Sequence, residues 1–228
     1  MRKNGKRRGK YNQIYVKCGR QFIDVYSPPR GYSNQVKQAC LKADVNGMGL
    51  RAIEHDKGVD HTTVIYWLKQ ISEQLPDTPL TPEIPTVGEL NELETFTSSK
   101  KHKIWLSTAV NHFCVGEASR REGILAWVLG NLIVPKHFNL CGRKVCCWQC
   151  YFYVTDGWKV YVSFIPPADH MISKIYITRV EGENTRLRHY LARLDRKTLC
   201  YSKSLDMLKY SIRLLLHYLK YREIPVFT

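Results

Sequence analysis

The chain has 228 residues, 44% of them hydrophobic, which is enough to fill a sizeable core as one large domain or two small ones. Its 35 Lys and Arg against 20 Asp and Glu leave a formal net charge of +15, which favours polyanionic partners. Nucleic acid is preferred over an anionic membrane, because no helical stretch combines a basic face with a large apolar one.

The longest apolar runs, such as 124–129 and 214–216, fall far short of the roughly 18 to 20 residues that span a bilayer. The basic start MRKNGKRRGK lacks the apolar centre of a secretion signal. No membrane segment and a cytoplasmic location are therefore expected, and the eight cysteines are expected to be reduced thiols.

Residues 1–30 carry Arg2, Lys3, Lys6, Arg7, Arg8, Lys10, Lys17, Arg20 and Arg30 against one acid, Asp24. This composition suits phosphate contacts, with a solvated tail as the competing reading of the first ten residues. Tyr15 to Phe22 follows the second half of a zinc ribbon, C-x-x-C-G-x-x-F, with Tyr15 where the first thiolate would stand. One cysteine of an expected four predicts no tight zinc site. Cys147-Trp148-Gln149-Cys150 has no second ligand pair beside it and reads as core thiols.

Pro28-Pro29-Arg30-Gly31 breaks the chain, and Ser33 has N-cap character for a helix over 34–45 with Val36, Ala39, Cys40 and Ala43 on its apolar face. A second short helix over 50–56 leads through Lys57-Gly58-Val59 to a third, from Asp60 to about Gln74, that buries Val64, Trp67, Leu68 and Ile71. Two short helices joined by a tight turn containing Gly predict an all-α helix-turn-helix domain over 31–75. Its third helix would present His61, Thr62, Thr63 and Tyr66 to a major groove; the alternative is a plain three-helix bundle. Pro76, Pro79, Pro82 and Pro85 predict an extended linker over 76–86 and a domain boundary near residue 80.

Strand patterns follow over 87–97, 103–113 and 123–130, with Lys100-Lys101-His102 and 115–122 as connections. A helix over 135–147 precedes a strand from Tyr151 that ends in Thr155-Asp156-Gly157. Next come a short strand over 171–178, a helix over 180–194 burying Val180, Leu187, Leu191 and Leu194, and a last helix over 205–221. The last has Leu205, Leu208, Ile212, Leu215 and Leu219 at the spacing that docks a helix on a sheet. This order predicts an α/β, ribonuclease H-like domain over 87–228.

A sheet of that kind performs phosphoryl transfer with carboxylates on its first strand, at the end of its fourth and on a late helix, where they gather two divalent cations. Asp156 fits the strand end, against the alternative that it caps a local turn. Glu181 opens a helix after 24 intervening residues, against the alternative of an acid favoured by the helix dipole. Arg188, seven residues on, lies two turns along the same helical face, in reach of a DNA phosphate.

The segments CGRQFID, VGELNELETF, KHKIWLSTAVNHF, GILAWVLG, CWQCYFYVTDGWKVY and TRVEGENTRLRHYLARLDRKTLCYSKS resemble the transposases of the insertion-sequence-one family over nearly the whole chain. The resemblance implies an N-terminal zinc ribbon, here a degenerate remnant over 1–30, and a helix-turn-helix that binds terminal inverted repeats of double-stranded DNA. It further implies a DDE catalytic domain using magnesium or manganese, association with the bacterial nucleoid, and at least a dimer, because two DNA ends must be brought together. The family's second Asp falls on Asp156, its Glu on Glu181, and its later basic residue on Arg188. Its first Asp falls on Asn91, which offers an amide oxygen without charge. Glu89, two residues away on the same strand face, is displaced by about 6.6 Å, too far to substitute well, and Glu92 faces the other way. The expectation is a copy shortened at its N-terminus and catalytically impaired, or alternatively a DNA-binding protein without catalysis that occupies the terminal repeats.

Overall fold

The computed structural model describes residues 1–7, 10–23, 31–77, 85–113, 123–130, 148, 150–194 and 200–225, which form two compact units, Met1–Ser33 and Asn34–Thr228. The expected helix over 135–147, the connection 115–122, Arg8 and most of the 76–86 linker lie outside the described residues.

In the first unit, β1 (Arg2–Arg7), β2 (Lys10–Ile14) and β3 (Gln21–Ile23) form an antiparallel sheet in that order. The basic start is therefore a hairpin and not a tail. Its ladder shifts register between Lys3 and Lys6, where Gly5 takes the left-handed φ of 75°. Tyr11 on β2 offers its ring to Lys3 Nζ at 5.5 Å and Lys6 Nζ at 4.7 Å. Cys18 is exposed in the turn closed by the Gly19 amide donating to the Tyr15 carbonyl at 2.9 Å.

The second unit opens with α1 (Asn34–Val45), α2 (Leu50–Lys57) and α3 (His61–Gln74). Gly58, with φ 64°, closes α2 by donating to the Glu54 carbonyl, and Asp60 caps α3 by accepting from the Thr62 amide at 2.8 Å. The buried face of α1 takes in Val36, Cys40 and Ala43 as expected, but it differs from the expected one at Ala39 and is wider. Ala39 is exposed, while Leu41, Asp44 and Val45 join Cys40 inside, because Asp44 pairs with the buried Arg193.

A five-stranded mixed sheet follows, in the order β6-β5-β4-β7-β8. It comprises β4 (Val87–Thr97), β5 (Ser99–Asn111), β6 (Ile124–Gly130), β7 (Phe152–Thr155) and β8 (His170–Ile172). β4, β5 and β6 pair antiparallel, whereas β7 pairs parallel to β4 and to β8. The β4–β5 turn is tighter than expected. Ser98, with φ 59°, makes it, and Lys100, Lys101 and His102 belong to β5. The strand expected over 171–178 is only three residues long, because the chain turns into α4 (Thr178–Tyr190). The single helix expected over 180–194 is α4 followed by a 3-10 turn, Ala192–Leu194, with Leu191 extended between them. Val180, Leu187, Leu191 and Leu194 are all buried as expected. The last helix, α5 (Leu205–Tyr221), starts at the cap Ser204, whose hydroxyl accepts from the Met207 amide at 3.2 Å. Its first residue, Leu205, is exposed, while Leu208, Ile212, Leu215 and Leu219 are buried.

The sheet is covered on both faces. Leu90, Ala109, Ala126, Tyr153 and Tyr161 form a cluster on one side. On the other, Val87, Leu93, Leu106 and Val154 meet α4 and α5 and continue into Cys40, Ile53, Trp67 and Ile71 of α1–α3. The stretches on either side of the expected boundary near residue 80 thus share one buried cluster. Among the described residues no helix is long and apolar enough to cross a membrane.

Candidate active site beside β4 and the end of β7

The parallel pairing of β4 with β7 sets Val87 against Phe152, Gly88 against Tyr153 and Glu89 against Val154. Continued two residues, the same register brings Asn91 level with Asp156, just past the end of β7. Strands in such a pair lie about 4.8 Å apart, so sequence positions 65 apart become neighbours. Asp156 leaves the strand through Gly157, whose φ of 86° turns the chain. Asp156 Oδ1 accepts from the Trp158 amide at 3.0 Å, so the alternative role of turn former is one that this residue does play. Behind it, the buried Thr155 hydroxyl lies 2.8 Å from His170 Nε2 and accepts from the Gly157 amide at 3.1 Å. Burial pushes the His170 pKa down.

Helix α4 follows the same face of β4. Its residue Val180 meets Glu89, its Asn184 meets Thr108 beside Asn91, and its Arg188 reaches the Glu94 carbonyl at 3.5 Å. Glu181 stands exposed in the first turn. Asn91 Oδ1 accepts from the Glu92 amide at 2.7 Å, and its carbonyl accepts from Thr108 Oγ1 at 3.3 Å. Thr108 Oγ1 also lies 2.8 Å from Asn184 Oδ1, a buried polar link between β5 and α4. Sequence reasoning does not single out Thr108, Asn184 or His112. Asn184 carries a usable signal, since it lies three residues from Glu181 on the same helical face.

Glu92 faces away from α4, as the strand alternation requires, and accepts a hydrogen bond from the buried Tyr161 hydroxyl. Burial, and then the neighbouring charge of Asp156, push its pKa up to about 8. Glu89 is fully buried, with Oε1 at 2.5 Å from His112 Nδ1 and Oε2 accepting from the Val180 amide at 2.8 Å. It is thereby committed to the interior and cannot stand in for a carboxylate at Asn91.

Asp156, Glu181 and Asn91 supply oxygen donors of the class that magnesium and manganese prefer. Charge is short, however: two carboxylates and one amide are present where two cations call for more. Among the described residues, the only three acids, histidines or cysteines whose ligand atoms lie within 4.8 Å of one another are Glu54, Asp60 and His61. Asp156 and Glu181 are thus not drawn together with a third acid in this way.

On α3, Tyr66 is 63% exposed and Thr62 is exposed, whereas His61 is half-buried with Nδ1 at 2.9 Å from Glu54 Oε2. Thr63 is half-buried.

The family model described as IS1 transposase matches residues 85–222. The chain is 30% identical over 142 residues to the insertion element IS1 1 protein InsB of Escherichia coli (strain K12), covering 61% of this chain and 80% of that protein. The same values hold for the InsB protein of Haemophilus ducreyi. The InsB protein of Shigella flexneri is 31% identical over 120 residues, covering 53% of this chain and 86% of its own length. The match takes in β4 to α5, with Asn91, Asp156 and Glu181 inside it, and the chain therefore belongs to the IS1 transposase family.

Proposed function

We propose that this chain is a DDE-type transposase that recognises the terminal repeats of an insertion element and retains a weakened strand-cleaving centre at Asp156 and Glu181. The observation that carries the reading is the parallel pairing of β4 with β7 up to Glu89 and Val154, which supports a site formed by Asn91, two residues further along β4, and Asp156, just past the end of β7. The sheet order, with three antiparallel strands followed by two parallel ones, supports a ribonuclease H-like domain. The three helices α1–α3, with α2 and α3 joined through the capping Gly58, support a helix-turn-helix whose Thr62 and Tyr66 face outward.

In the proposed chemistry, water attacks a phosphodiester at the element's end and breaks the bond to the 3′ oxygen, leaving a 3′ hydroxyl and a 5′ phosphate. That hydroxyl then attacks a target phosphodiester and displaces its 3′ oxygen. A divalent cation, when bound, would lower the cost of charge on the attacking and leaving oxygens. Asp156 and Glu181 would hold it. Asn91 would contribute an oxygen without charge, so the site would hold one ion better than two. Arg2, Lys3, Lys6, Arg7, Arg8 and Lys10 would add phosphate contacts.

The second reading, a DNA-binding protein that occupies the repeats without cutting them, is favoured by one feature, the amide at position 91. Manganese-dependent cleavage of a terminal-repeat duplex separates the two. The chain should cleave weakly, Asn91→Asp should raise the rate at least tenfold, and Asp156→Ala added to it should abolish the gain. A rate indifferent to Asn91→Asp overturns the impairment, and cleavage that survives Asp156→Ala overturns the site.

A further inference from the structure

Helix α4 begins without a local cap. Ile177 occupies the N-cap position and provides no side-chain hydrogen bond, so the first-turn amides need acceptors from elsewhere. One comes from the middle of the sheet, where Glu89 Oε2 accepts from the Val180 amide at 2.8 Å. The other oxygen, Oε1, lies 2.5 Å from Nδ1 of His112, the residue after β5. His112 is itself fixed, its amide donating to the Val87 carbonyl at 2.9 Å and its ring edge-on to Phe113 with centroids 4.9 Å apart.

Glu89 is 0% exposed and sits on the central strand, paired with Val110 on one side and Val154 on the other. A carboxyl group so enclosed has to be matched by polar partners, and here each oxygen has one, the Val180 amide and His112 Nδ1. The peptide amide it holds is the one immediately before Glu181. A negative group at a helix N-terminus is also favoured by the helix dipole.

We propose that Glu89, braced by His112, is a positioning residue: it fixes the first turn of α4 and so sets where the Glu181 carboxylate points relative to Asp156. This rests on the reading of Glu181 as a metal-holding side chain. The physical reason is reach. Glu89 ties the helix to the central strand of the sheet, so loss of that tie lets the first turn shift by a fraction of an ångström or more, and placement on that scale decides whether two carboxylates meet one ion.

The test uses the full chain carrying Asn91→Asp, with Glu89→Gln and, separately, the milder His112→Gln added. Two quantities are read: amide hydrogen exchange by mass spectrometry across 178–185, α3 and α5, and Mn2+ affinity from the resonance of the free ion. Glu89→Gln should speed exchange in 178–182 severalfold, leave α3 and α5 unchanged, and weaken Mn2+ binding by about tenfold, the usual scale for a group supporting a metal ligand. His112→Gln should move both readouts the same way by less, and it carries the test if Glu89→Gln does not fold.

Weakened Mn2+ binding with unchanged exchange would make Glu89 a ligand and overturn the proposal. Equal acceleration in α3 and α5 would reduce it to a core residue and overturn it too, as would no change in either readout. If the parent chain binds no Mn2+, the metal reading fails, while the exchange comparison still decides whether Glu89 holds α4.

Discussion

Arg193, in the 3-10 turn after α4, grips both carboxylate oxygens of Asp44 on α1, with Nη2 to Oδ1 at 2.9 Å and Nη1 to Oδ2 at 3.2 Å. Both side chains are buried, and Ser211 of α5 accepts a further bond from Nη1. The pair fastens the helices that precede the sheet to the elements that follow it. Asp44→Ala should therefore cost about 3–5 kcal/mol, because it leaves a guanidinium buried without its anion. Asp44→Leu with Arg193→Met should recover most of that loss, as apolar replacement of both partners usually does. Urea unfolding of the two variants checks this, and a double variant no better than the single one would count against it.

Glu92 predicts a pH dependence of stability. Its folded pKa is raised from 4.5 to about 8 by burial and by the charge of Asp156, so the folded chain holds a proton that the unfolded chain releases. The stabilisation from that proton is fully present below pH 4.5 and is lost as the pH rises through about 8. Melting temperature measured in chelator should fall across this window, and Glu92→Gln should flatten the fall. An identical slope in the variant would show that another group is responsible.

Gly157→Ala should be strongly destabilising and should also disturb Asp156. The residue has a φ of 86°, and a Cβ there would meet Ile172 Cγ2 at 2.6 Å. Side chains tolerate neither condition well, and relief would have to come from moving β8 or the turn that carries Asp156. Melting temperature should drop by several degrees, about what a loss of 1–2 kcal/mol produces in a chain of this size. Adding Ile172→Ala should restore part of it by removing the clash but not the strained φ.

The basic hairpin should contribute to DNA affinity through phosphates. Deleting residues 2–10 should lower the slope of log affinity against log salt by about 0.9 for each phosphate that the shortened chain no longer neutralises. Fluorescence anisotropy across a salt series measures it, and an unchanged slope would remove Arg2, Lys3 and Lys6 from the interface.

The sequence by itself determined the elements whose signals are local. α1, α5 and β4 span the residues expected of them, and the acid-glycine pair at 156–157 follows the end of its strand. Local signals failed where a partner decided the outcome. Ala39 faces outward because Asp44 is drawn to Arg193, and the expected helix over 180–194 breaks at Leu191. The site divides in the same way. Asp156 and Glu181 could be picked out as candidates from their neighbours, because a strand end and a helix start are written locally, whereas Asn91, in the middle of β4, was pointed to only by the family resemblance. That Glu89 is closed inside the fold between His112 and the Val180 amide, and that Glu92 is held by Tyr161 near Asp156, follows only from pairing across the sheet. Each of those contacts joins residues 23 to 91 positions apart, and burial at such distances is a property of the assembled fold that no local pattern encodes.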